Sequence, residues 1–211
     1  MRIKDFMSTN VVAVDENTTL HDARKIMEAH KIRRLPVMKR DKLVGLVTLR
    51  MLLEAAPSPA TDLSIHELQY LLAKLTVKDI MVKDPYTISP DMPAEEALQL
   101  GQEMGYGAFP VVDNGRLVGI ATESDIVRLM TRVLGVQVKG KRIDIKVSKE
   151  FGNMTKIMKI LDEKKAVLLS LMTFRRPEEG FYMIVLRIQA VDAGVIAKEL
   201  KAAGFAVTYV G

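Results

Sequence analysis

The chain has no cysteine, which excludes disulfides and thiolate-held metals. Aromatic residues are scarce at 5%, and no apolar run approaches the roughly 18 residues that span a bilayer. The N-terminal Met1-Arg2-Ile3-Lys4-Asp5-Phe6 reaches an acidic side chain at once and holds no apolar signal core. The cytoplasm is therefore the expected location. The three histidines, His21, His30 and His66, fall in segments of helical pattern. His21 and His30 are nine residues apart, which is wrong for two ligands on one helical face. Catalysis needs converging titratable groups. No His-x-x-x-His, Gly-x-Ser-x-Gly or phosphate-loop pattern occurs. Neither a metal site nor an enzyme is expected.

A strong bias of charge is missing too. The 31 Lys and Arg against 26 Asp and Glu leave a net charge of +5, spread along the chain except for Lys139, Lys141 and Arg142. Nucleic-acid binders concentrate charge on one face or interleave it with aromatics. A phosphate-bearing small molecule fits this composition at least as well.

What the chain does have is a duplication. Its 211 residues, 48% hydrophobic and 27% charged, suffice for one large or two to three small cores. Shifted by 74 positions, Lys4, Asp5 and Met7 fall on Lys78, Asp79 and Met81, and Ala23 falls on Ala97. Pro36-Val37 falls on Pro110-Val111, Leu43-Val44-Gly45 on Leu117-Val118-Gly119, and Thr48 on Thr122. Each copy reads as β-α-β-β-α. The first strands are expected at 11–14 and 86–88. The first helices carry Leu20, Ala23, Ile26 and Met27 in one copy, and Ala94, Ala97, Leu100 and Gly101 in the other, at helical spacing. Thr18 or Thr19 suits a cap and Pro93 a first helical turn. Hairpins are expected from 35–38 with 43–47 and from 109–112 with 117–121. Asn114-Gly115 is the stronger turn, since both residues tolerate positive φ; Arg40-Asp41 makes a looser one. Helices over 49–55 and 123–133 close the copies. A unit of about fifty residues is small for an independent core, so the copies should pack together. Between them Pro57-Ser58-Pro59 breaks the chain, and residues 64–75 read as an amphipathic helix, either a packed linker or a dimer contact.

The leading Lys-Asp-Met, the Pro-Val strand and the closing Gly-x-x-Thr, present twice in register, resemble CBS domains over roughly residues 1–134. The expected organisation is CBS repeat 1 at 1–56, a linker and helix at 57–76, CBS repeat 2 at 77–134, a linker at 135–141 and a further domain at 142–211. In the segment 119–125, backbone N–H groups at a helix start attract anions, and the hydroxyls of Thr122 and Ser124 can add hydrogen bonds to a phosphate. Asp125 is placed to accept hydrogen bonds from two ribose hydroxyls. The similar Gly-x-x-Thr-x-x-Asp pattern of CBS domains implies Thr for phosphate and Asp for ribose. By the same resemblance, adenine would lie between Tyr86-Thr87-Ile88 and Gly107-Ala108-Phe109-Pro110, with Gly107 and Ala108 leaving room for a flat ring. The other reading of Thr122, Ser124 and Asp125 is an ordinary helix cap.

Copy one departs from the pattern, because Met51 occupies the position of Asp125. A charge-assisted hydrogen bond is worth roughly 1.5–3 kcal/mol, so the loss corresponds to on the order of a hundredfold in affinity. The cleft built on Asp125 is expected to be the tighter. Copy one keeps Thr48 and gains Arg50, with Arg33 and Arg34 nearby to meet phosphate from either cleft or to serve as surface charge.

After the turn at Lys139-Gly140-Lys141, the pattern reads strand 143–147, helix 153–163, strands 166–174 and 181–189, helix 193–203 with a Gly204 cap, and strand 206–210. This β-α-β-β-α-β order is the ferredoxin-like split motif and resembles an ACT domain, with Gly152 and Gly204-Phe205 at matching turns. Lys149-Glu150-Phe151-Gly152 replaces the Asp-x-Pro-Gly-like loop of amino-acid-binding members, so dimerisation is the expected role. A CBS pair followed by an ACT-like domain resembles the acetoin-utilisation AcuB-type group. The fold class is thus mixed α+β and α/β. The resemblance implies a homodimeric, non-enzymatic sensor of AMP, ADP, ATP, S-adenosylmethionine or NAD, with a protein partner as a further possibility. The alternative is a nucleic-acid- or protein-interaction regulator in which the pair is only a scaffold.

Overall fold

Local signals build each copy first. In the computed structural model, which describes residues 1–55, 74–176, 180–190 and 192–211, Thr19 caps α1 (Leu20–His30) by accepting from Asp22 N. Leu20, Ala23 and Met27 are buried along that helix, and Lys31 closes it in the left-handed conformation. The equivalent α4 (Ala94–Met104) starts after Pro93, which stands at the N-cap rather than in the first turn, and stops at Gly105 with φ 68°. The strands β2 (Arg34–Lys39) and β3 (Lys42–Thr48) form one hairpin, and β5 (Ala108–Asp113) and β6 (Arg116–Thr122) form the other. Asn114 and Gly115 both have positive φ, 47° and 78°, as a tight type I′ turn requires. Both hairpins shift register at the same place, Val37/Met38 and Val111/Val112. The helices α2 (Leu49–Glu54) and α5 (Glu123–Val133) follow.

The first strands are shorter than the sequence pattern leads one to expect. β1 is only Val14–Asp15, parallel to β2. Residues 86–88 form no strand, and Ile88 makes a single bridge to Val111. A ladder needs a partner along its length, and here one residue finds one. The helix expected over 64–75 lies largely outside the described residues.

The leading segment of each copy belongs to the other copy. Val77–Ile80 (α3) and Val82–Lys83 (β4) open copy two, yet β4 pairs with β3 of copy one, Leu46 opposite Val82. Reciprocally, Ser8 of copy one bridges Ile120 of copy two. Val77 is fully buried in the copy-one core with Leu35, Val37 and Val47, while Ile3 is fully buried in the copy-two core with Phe109, Val111 and Ala121. Burial of such a side chain is worth about 1.5–3 kcal/mol. The exchange also accounts for two motif residues. A Cβ at Gly119 would lie 2.5 Å from Met7 Sδ, and one at Gly45 would overlap Met81 Sδ. The motif methionine of each copy therefore rests on the motif glycine of the other.

The chain divides into two compact units, Met1–Ile126 and Val127–Gly211. In the second unit, β7 (Lys141–Val147), α6 (Asn153–Glu163), β8 (Val167–Arg176), β9 (Phe181–Gln189), α7 (Ala193–Ala202) and β10 (Ala206–Val210) follow in order. The antiparallel sheet runs β10-β7-β9-β8. Its core holds Ile143, Ile145, Ile157, Leu161, Leu186, Ile188, Ile196 and Leu200. Among the described residues no helix is long and apolar enough to cross a membrane.

Candidate ligand site

Each hairpin ends in a threonine that opens a helix, and the two threonines are used differently. Thr48 Oγ1 accepts from Met51 N at 3.3 Å. Thr122 sits in a reciprocal cap. Asp125 N donates to Thr122 Oγ1 at 3.3 Å, while Thr122 N and Thr122 Oγ1 donate to Asp125 Oδ2 at 2.9 and 2.6 Å. Asp125 is 5% exposed. Across the hairpins Arg34 stands opposite Thr48, and in the same register Ala108 stands opposite Thr122.

A cavity of about 160 Å³ lies between the copies, lined by Arg34, Leu46, Thr48, Val82, Pro85, Tyr86, Gly105, Tyr106, Gly107 and Ala108. On the Thr122 side, Gly107, Ala108, Phe109, Thr122 and Glu123 line a crevice of only about 10 Å³, room for one water at most. The tyrosines of the larger cavity are held from behind. Tyr86 and Tyr106 each meet the ring of Phe109 edge-on, with centroids at 6.1 and 6.0 Å and interplanar angles of 72° and 69°, a favourable aromatic geometry. Phe109 itself is buried. Arg34 has neither a hydrogen-bond nor an ion-pair partner among the described residues. Its guanidinium passes over Gly107, where a Cβ would lie 2.5 Å from Arg34 Nη2 and 3.2 Å from Glu123 Oε2.

The structure thus brings together Arg34, Thr48, Tyr86, Gly107 and Ala108. Tyr86 lines the larger cavity together with Thr48, while Thr122 lines the smaller crevice that shares Gly107 and Ala108 with it. The reason is the exchange of leading segments: pairing of Val82 with Leu46 delivers Pro85 and Tyr86 to the copy-one threonine. Ile88 and Pro110 are buried and do not line the cavity. Ser124 and Arg33 are exposed. Arg50 points away into a 2.6 Å ion pair with Glu54, whose hydrogen bond raises the Arg50 pKa above the ordinary guanidinium value. Tyr106 and the supporting role of Phe109 were missed. A signal existed, since at the 74-residue offset Tyr86, Tyr106 and Phe109 replace the aliphatic Val12, Ile32 and Leu35. Among the described residues no group of three or more His, Asp or Glu is placed to hold a metal.

Two β-α-β-β-α copies that complete each other's sheets, with clefts between them, define a duplicated module rather than two independent domains. The chain belongs to the CBS-domain family. The family pattern matches residues 3–58 and again 77–132, more than half of the chain. A CBS domain-containing protein of Dictyostelium discoideum is 36% identical over 134 residues, covering 63% of this chain and 92% of that protein. Three further relatives are longer proteins of which the chain spans 14–23%. Among solved structures, a putative acetoin utilization protein (AcuB) from Vibrio cholerae superposes with a TM-score of 0.54 at 30% identity, over 65% of this chain and 95% of that one. CBSX2 of Arabidopsis thaliana in complex with AMP gives 0.51 at 31%, over 64% and 98%. A CBS domain pair in complex with 5′-methylthioadenosine and S-adenosyl-L-methionine gives 0.51 at 28%, over 62% and 95%.

Proposed function

We propose that this chain is a regulatory, non-catalytic sensor that takes an adenosyl compound in the clefts between its CBS copies and passes its state to a partner. The observation that carries the reading is the cavity of about 160 Å³ in which a cation, a threonine at a helix start and two tyrosines converge. Similar CBS pairs that hold AMP, or S-adenosyl-L-methionine and 5′-methylthioadenosine, support it. The ligand is then AMP, ADP, ATP, S-adenosylmethionine or NAD. A ligand at a hundred times its Kd stabilises by about 2.7 kcal/mol, so thermal unfolding against these five compounds tests the reading. At least one should raise the Tm by several degrees; a flat panel overturns the sensor.

For residues 142–211 we infer a ferredoxin-like, ACT-type module joined to the CBS pair through 135–141. The β-α-β-β-α-β order and the β10-β7-β9-β8 sheet support this reading. The partner is a second copy of the chain. β8 is an edge strand with Val167, Leu168, Leu171 and Phe174 exposed, and such edges pair with other strands. A dimeric mass in light scattering is the expected result. A link to acetoin utilisation follows from the domain order, and the Vibrio cholerae neighbour supports it.

A further inference from the structure

Resting on the sensor reading, we propose that the cavity at Thr48 selects an anion attached to a flat ring and does not read the sugar between them. The two copies place a single charge differently, a cation in copy one and a carboxylate in copy two. Copy one has Arg34 opposite Thr48 and Met51 three residues further on, while copy two has Ala108 opposite Thr122 and Asp125 three residues further on. Reading a ribose diol requires an acceptor for two hydroxyl groups, which a carboxylate supplies. Among the described residues no carboxylate lines the Thr48 cavity, and Leu46, Val82 and Pro85 have apolar side chains there.

The donors are the reverse case. Thr122 gives its hydroxyl proton to Asp125 at 2.6 Å, so it has none to offer an anion. Thr48 only accepts, from Met51 N, and keeps its hydroxyl proton for an incoming oxygen. Beside it Arg34 stands without a partner among the described residues, in the cross-strand position where side chains on one face meet. Gly107 leaves room for that placement, since a Cβ there would lie 2.5 Å from Arg34 Nη2 and the arginine tip would have to shift. Tyr86 and Tyr106, steadied by Phe109, offer the apolar aromatic wall for a ring. The site is a ring-and-anion clamp whose described lining residues include no carboxylate for the sugar.

Calorimetric titration of the full chain with AMP, 2′,3′-dideoxy-AMP and adenosine tests this. The Arg34→Ala variant should lose one class of AMP binding. In the parent protein that class should hold AMP and the dideoxy compound within about threefold of each other, and adenosine at least about tenfold more weakly. Met51→Asp should install the missing acceptor and make the same class favour AMP over the dideoxy compound by about tenfold or more. The proposal is overturned if the class lost in Arg34→Ala itself favours AMP over the dideoxy compound tenfold, or if that variant loses no binding. Absence of adenine-nucleotide binding in the parent protein would instead remove the sensor reading, and this inference with it.

Discussion

The hairpins of the two CBS copies share their backbone pairings position for position, and the copies differ in what they point at the clefts. Val14 pairs with Val37 as Ile88 pairs with Val111, and Leu46 pairs with Val82 as Ile120 pairs with Ser8. Yet Arg34, Met51 and Leu35 of copy one stand where copy two has Ala108, Asp125 and Phe109. Backbone pairing depends on hydrogen bonds that every residue but proline can make, so a duplicated scaffold tolerates divergence of the side chains that face a ligand. The exchange of leading segments adds a second lesson: the Thr48 cavity is assembled from both copies, so that site cannot be understood from one copy alone.

The largest effect that would break the comparison is expected at the aromatic position. Phe109→Ala should cost about 3–5 kcal/mol by urea unfolding. Phe109→Leu, which makes copy two resemble copy one, should preserve most of the stability but weaken nucleotide binding by releasing Tyr86 and Tyr106. Equal binding by Phe109→Leu and the parent protein would show that the ring packing does not organise the cavity.

The threonines sharpen the contrast at smaller scale. Thr122→Ala withdraws a donor from a buried carboxylate and should cost about 2 kcal/mol. Thr48→Ala removes an ordinary cap and should cost about 1 kcal/mol. Equal losses in urea unfolding would mean that the buried Asp125 makes no difference to its threonine.

The smallest effect concerns the leading segment of copy one. Lys4 and Arg2 both bond Asp91, at 2.7 and 2.8 Å, and hold its carboxyl below the ordinary carboxylate range. A group with a depressed folded pKa stabilises fully above its unfolded value, about 3.9 for aspartate, and that contribution fades as the pH falls through the folded one. Acidification below about pH 4 should therefore reduce the exchange protection of the Ile3 and Lys4 amides more than that of Val37. Asp91→Asn should abolish the difference. Because the ion pairs are exposed, the effect should be small and weakened by salt.

Much of the fold was legible from local pattern. The helix over 20–30 follows from Thr19, Leu20, Ala23 and Met27, and the tight hairpin turn from Asn114-Gly115, because caps, periodicity and positive φ act within a few residues. The strand expected over 86–88 failed, since a strand exists only where a partner runs beside it. The reading of Thr122 and Asp125 as a pair was supported by their spacing on one helix start, but the spacing left open whether the carboxylate serves a cap or a ligand.

By itself the sequence determined that the chain is a duplication with a 74-residue offset, where its elements lie, and that Met51 breaks the symmetry of the acidic position. These are properties of neighbours in the chain. Only the tertiary structure decided that Val77 and Ile3 are buried in each other's copies, and that Tyr86 lines one cavity with Thr48. The physical reason is that the partner of a leading segment is set by which core can bury its apolar side chain and complete its backbone hydrogen bonds. That competition between distant surfaces leaves no mark on local periodicity.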